Sequence, residues 1–164
     1  MANVDLPIGY RARVPLRCTP YDADASAAAI YTNDLVQTET DGNIIVAAVA
    51  NLILGASADY SVASTAQTDL GIFDDPFQEF IAQDDASGTS AQTDVGGNAD
   101  TSVTTGNTTT LISKQEIAIS TITTVTANLR IIRLVNTPSN AFGANADFVC
   151  QINEHAYRTG TAGI

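Results

Sequence analysis

The sequence predicts an all-β fold: an antiparallel β-barrel or β-sandwich of about eight short strands, with long polar loops and an extended N-terminal arm. Three observations carry that expectation. Apolar residues alternate with polar ones in short runs, most clearly where Phe148, Cys150 and Ile152 are set against Gln151, Asn153 and His155. Clusters of Gly, Pro, Asn and Asp punctuate those runs. No stretch makes a convincing amphipathic helix.

Residues 1–20 hold Pro7, Gly9, Pro15 and Pro20 between Arg11, Arg13 and Arg17, a composition that resists helix and suits an extended arm or edge strand. Residues 21–164 are expected to form a single β domain. Its start, Asp22 to Ala29, is small and acidic, and reads as a loop or a short helical turn before Ile30-Tyr31 and Leu35-Val36. Asp41-Gly42-Asn43 is a turn. The apolar run from Asn43 to Ser64 is expected to be buried on both faces, and its β-branched Ile44, Ile45 and Val46 favour strands over the competing helix suggested by its alanines. Leu70–Phe73 and Phe77–Gln83 are strands on either side of Asp74-Asp75-Pro76, where proline removes a ladder donor.

From Asp84 to Thr110 almost every residue is small or polar, with only Val95 and Val103 able to fill a core. Such a segment predicts a surface loop, mobile on an isolated subunit and ordered by backbone bonds or a neighbouring copy. Strand patterning resumes from Leu111 to Ser120 and from Thr121 to Thr126. The run Leu129–Val135 then pairs, through a turn-rich link around Pro138 and Gly143, with the alternating run Phe148–His155.

A chain of 164 residues is long enough to bury one sizeable core. Charged residues make up only 15%, so Ser, Thr, Asn and Gln carry much of the solvation. The net charge of −11 is unevenly distributed: between Arg17 and Lys114 there is no Lys or Arg, but there are fourteen carboxylates. An acidic middle works against nucleic-acid binding, which needs cations to displace counterions from phosphate. Cys18 and Cys150 form no metal-ligand spacing, and Cys150 reads as a buried free thiol. Neither a signal peptide nor a membrane span is expected, since the longest apolar run, Asn43 to Gly55, is too short to cross a bilayer.

Candidate chemistry is sparse. His155 is the one histidine, placed by alternation on the polar face beside Glu154, and its expected role is a surface or interface hydrogen bond. Asp74-Asp75 and Asp84-Asp85 lack the frame of a calcium loop or a glycosidase pair and read as solvated turn carboxylates. Gly96-Gly97 sits in a polar loop without a lysine. No catalytic, cofactor or metal residue is assigned, and an enzyme is not expected.

The run LRIIRLVNTPSN from Leu129, the step Phe142-Gly143-Ala144-Asn145-Ala146 and the stretch INEHAYRTGTAG from Ile152 together resemble a family of tailed-phage minor head proteins, the capsid decoration or cement proteins. Upstream, Asp74-Asp75-Pro76 with FQEFIAQDD, the TDVGGNAD segment from Thr93 to Asp100 and the opening MANVDLPIGYRARV agree in order. Ala23 to Tyr60 match loosely. The resemblance implies a structural protein made in the host cytoplasm, bound to the outer surface of the capsid in the virion. Its partners would be the major capsid protein and two further copies of itself, a homotrimer, with neither nucleic acid nor membrane involved. On that view Arg11, Arg13 and Arg17 form a capsid-binding arm, while Asp94, Asn98, Asp100, Arg130, Arg133, His155 and Arg158 are candidates for subunit contact. The alternative is a carbohydrate-binding β-module of a tail fibre or host-attachment structure, against which the absence of Trp weighs.

Overall fold

The computed structural model describes residues 3–49, 51–160 and 162–163. Met1 and Ala2 of the arm, Ala50 of the apolar run, and Thr161 and Ile164 of the C-terminal stretch lie outside it. Among the described residues the fold is all-β, with eleven strands where the sequence suggested about eight. They are β1 (Arg11–Ala12), β2 (Thr19–Ala23), β3 (Leu35–Thr38), β4 (Ile44–Val46), β5 (Gly55–Ser57), β6 (Gln67–Phe73), β7 (Glu79–Gln83), β8 (Asn98–Ser102), β9 (Glu116–Thr123), β10 (Leu129–Leu134) and β11 (Asp147–Ile152). Five of them close a small barrel in the order β2-β4-β3-β5-β6. The other six form an antiparallel sheet in the order β1-β7-β11-β10-β8-β9.

Period-two burial builds the core between these layers. On β11, Phe148, Cys150 and Ile152 point inward as expected, joined by Phe80 and Ala82 of β7 and by Leu129 and Ile131 of β10. Leu35, Ala47, Ile53 and Ala56 from the barrel side pack into the same cluster. Inside the barrel, Ile30, Val36, Ile44, Leu54, Leu70 and Ile72 make a second one.

Residues 3–20 run extended along the body. Tyr10 is fully buried in the main core, and its hydroxyl donates to the Glu116 carbonyl at 2.7 Å and meets the Thr101 hydroxyl at 2.9 Å. Gly9 makes this insertion possible. Its φ is +69°, and a Cβ there would stand 2.5 Å from the Asn33 carbonyl oxygen.

Several expectations are corrected. The polar stretch Asp84–Thr110 contains β8, in which Asn98, Ala99 and Thr101 are buried, while Val103 is exposed. Pairing with β9 and β10 supplies the backbone bonds that composition could not reveal. The Asn43–Ser64 run forms strands, but Val49, Leu52 and Val62 face solvent, so it is not buried throughout. Asp84 is buried, not solvated: its carboxylate accepts the backbone N–H groups of Asn145 at 2.8 Å, Ala146 at 3.0 Å and Ala86 at 3.1 Å. Asn153 and His155 are buried as well, because β11 ends at Ile152 and the chain turns into the body instead of continuing its alternation.

Candidate interaction surface

The inward Tyr10 and Ala12 leave Arg11, on the edge strand β1, and Arg13, the residue just after it, exposed on the outer side. On β10, Arg130 and Arg133 are three residues apart and would fall on opposite faces of a regular strand. A bulge prevents that. Ile131 pairs with Cys150 and Arg133 with the next residue, Val149, so Ile132 is the extra residue and the alternation is reset. Leu129, Ile131 and Leu134 pack on the core side, and both arginines stay outside.

Between β1 and β11, β7 contributes Glu79. Arg13 approaches its Oε2 at 2.8 Å and Arg133 approaches the same oxygen at 3.6 Å, so two guanidiniums share one carboxylate. Next to them a groove of about 310 Å³ is lined by Arg13, Val14, Leu16, Phe77, Glu79 and Gln151. Its apolar side chains are open to solvent: Val14 is 61% exposed, Leu16 57% and Phe77 64%. The Arg158 guanidinium stacks 5.1 Å from the centre of the Phe77 ring and donates to the Ile152 carbonyl at 2.6 Å.

Arg17 closes the same end. Its Nε lies 2.7 Å from Asp74 Oδ1, and its guanidinium is 5.9 Å from the Tyr157 ring. Asp74 is almost fully buried and also accepts from Thr19 at 3.0 Å and Tyr21 at 2.8 Å. Burial pushes this carboxyl up, but the bonds from Arg17, Tyr21 and Thr19 outweigh it and hold the pKa below the ordinary value.

The structure therefore brings the arm residues Arg13 and Arg17 together with Arg133 and Arg158, which the sequence had assigned to a separate contact. Arg11 is exposed on β1, paired in register with Ile81. The other candidates sit elsewhere. Arg130 donates from Nε to Asn98 Oδ1 at 3.0 Å and from Nη2 to the Ala162 carbonyl, and Asn98, fully buried, donates to the Val125 carbonyl at 2.9 Å. Asp94 caps its own 3-10 turn by accepting from the Ala91 N–H at 2.7 Å. The Asp100 N–H donates to the Thr121 hydroxyl at 2.8 Å. His155 is not on a polar surface: it is 1% exposed, and its Nδ1 accepts the Tyr157 N–H at 3.0 Å. Burial, with a smaller contribution from Arg158, lowers its pKa to about 4, so the ring is neutral at pH 7.

Sequence reasoning missed Val14, Leu16, Phe77 and Glu79. Phe77 offered a signal, being a large apolar residue placed directly after an Asp-Asp-Pro turn. Among the described residues no group of His, Cys, Asp and Glu is arranged to hold a metal ion, and no helix is long and apolar enough to cross a membrane. What the surface can do chemically is dock: an apolar floor for burial, with guanidinium groups at its rim. No family model, curated protein or solved structure matches the chain.

Proposed function

We propose that this chain is a virion structural protein, a decoration or cement protein that binds the outer surface of a tailed-phage head and stabilises the major capsid protein lattice as a homotrimer. The observation that carries the reading is the arginine-rimmed groove around Phe77, assembled from the N-terminal segment and the same C-terminal stretch that resembles decoration proteins. Exposed apolar side chains beside partly neutralised arginines are the composition of an interaction surface. A protein that binds the assembled shell and not its free subunits stabilises the shell by mass action, because those contacts must break before the lattice opens. A net charge of −11 keeps unbound copies apart, while the local cationic face steers them to an acidic partner.

Gold-labelled antibody on intact particles tests the reading. Label over the whole head surface supports it. Label confined to the tail would contradict it and favour the carbohydrate-binding alternative. Sedimentation equilibrium of the purified chain should give three times its 17.1 kDa mass.

A further inference from the structure

In a protein of net charge −11, four of the seven cations, Arg13, Arg17, Arg133 and Arg158, gather around Asp74, Phe77 and Glu79. They are only partly answered from within. Glu79 serves both Arg13 and Arg133, and Arg158 touches a carbonyl and a ring but makes no ion pair among the described residues. The groove they flank exposes Val14, Leu16 and Phe77 side by side, an apolar surface that gains from being covered. Two needs therefore coincide at one place, apolar burial and negative charge.

We propose that this groove docks an extended polypeptide segment bearing carboxylates and one apolar anchor. The anchor seats between Leu16 and Phe77, and the carboxylates pair with Arg133 and Arg158. This deepens the decoration reading and rests on it for the source of the segment, the capsid surface. Guanidinium groups favour carboxylates because the two planar groups match in a paired hydrogen-bond geometry. Nucleic acid fits less well. A phosphate chain carries no apolar side chain to seat between Leu16 and Phe77, so the apolar floor would remain uncovered. The docked state also frees Glu79 from serving two partners, since an incoming carboxylate can take over Arg133, the longer of the two contacts at 3.6 Å.

The test is a titration of the isotopically labelled chain, followed by NMR, with a synthetic hexapeptide of sequence Asp-Glu-Leu-Asp-Phe-Glu. Its Asn/Gln counterpart and a short single-stranded DNA serve as comparators. The acidic peptide should shift the amides of Val14, Leu16, Arg17, residues 77–79 and Gln151. The Arg133→Gln/Arg158→Gln variant should bind it about tenfold more weakly or worse, with an unchanged folded spectrum elsewhere, and Lys114→Gln should bind it like the wild type. Equal shifts from the uncharged peptide, shifts confined to other surfaces, or tighter binding of the DNA at this face would each overturn the proposal. No head is needed in this assay. Intact peptide binding with no binding to heads would count against the decoration reading and leave the docking groove standing, whereas head binding with no peptide response would overturn the groove alone.

Discussion

Gln78, the residue just before β7, and Gln83, the last residue of β7, each close a two-bond clamp on the N-terminal segment. Gln83 takes the Leu6 N–H on Oε1 at 2.8 Å and donates to the Val4 carbonyl at 3.0 Å; Gln78 takes the Leu16 N–H at 2.9 Å and donates to the Val14 carbonyl at 3.0 Å. Both side chains are buried, so their amides substitute for strand partners that β1, only two residues long, does not reach. The clamp at Gln78 is also what fixes Val14 and Leu16 beside Phe77.

Gln78→Ala should therefore loosen one wall of the groove without opening the core. The expected cost is about 1–3 kcal/mol, from the two clamp bonds, a third bond to the Glu79 carbonyl and the backbone groups left behind. Amide exchange at Leu16 should quicken while that at Leu6, held by Gln83, stays slow. Equal exchange at Leu16 in the variant and the wild type would contradict the clamp.

Phe148 is fully buried where β11 packs against the barrel side, with its ring 6.1 Å from that of Phe142. Phe148→Ala should destabilise the fold by about 3–5 kcal/mol, read from the urea midpoint. A near-neutral effect would mean that the facing of β11 is reversed.

Glu116 supplies a pH dependence. Burial, then Asp5, Asp85 and Asp84, pushes its pKa from 4.5 up to about 7. A carboxyl with a raised folded pKa favours the folded state in its protonated form, so its contribution is fully present below pH 4.5 and is lost as pH rises through 7. Thermal midpoints of Glu116→Gln should fall less over that window than those of the wild type. Parallel curves would contradict the assignment.

His155 works in the opposite sense. With its folded pKa lowered from 6.5 to about 4, it adds stability above pH 6.5 that fades as pH falls towards 4. The imidazole resonances should remain those of the neutral ring at pH 5.5. Titration near 6.5 would place the ring in solvent after all.

The hairpin of β10 and β11 was legible because Phe148, Cys150 and Ile152 repeat with the strand period and the link between the strands is rich in turn residues. β8 was not, since Asn98–Ser102 offers Ala99 alone as an apolar side chain and becomes a strand only between β9 and β10. The burial of His155 was hidden for a related reason: alternation holds only while the strand lasts, and β11 stops at Ile152. Each arginine could be seen in the sequence, but the groove could not. The groove depends on β1, β7, β11 and β10, which lie side by side although they are drawn from the chain between Arg11 and Ile152, and on the extra Ile132 that turns Arg133 outward. The arm itself was legible as extended. That it is a built-in part of the body followed only from Tyr10 filling the core, which makes side-chain changes a cleaner probe of the surface than deletion.

The most direct test of the central claim is cosedimentation of the purified chain with heads that lack it, comparing the wild type with Arg133→Glu/Arg158→Glu. The account predicts saturable binding of the wild type to the head exterior, weakening as salt rises, and loss of that binding in a variant that remains folded. Wild-type chain left in the supernatant at every concentration and salt, or a variant that decorates heads as fully as the wild type does, would contradict it.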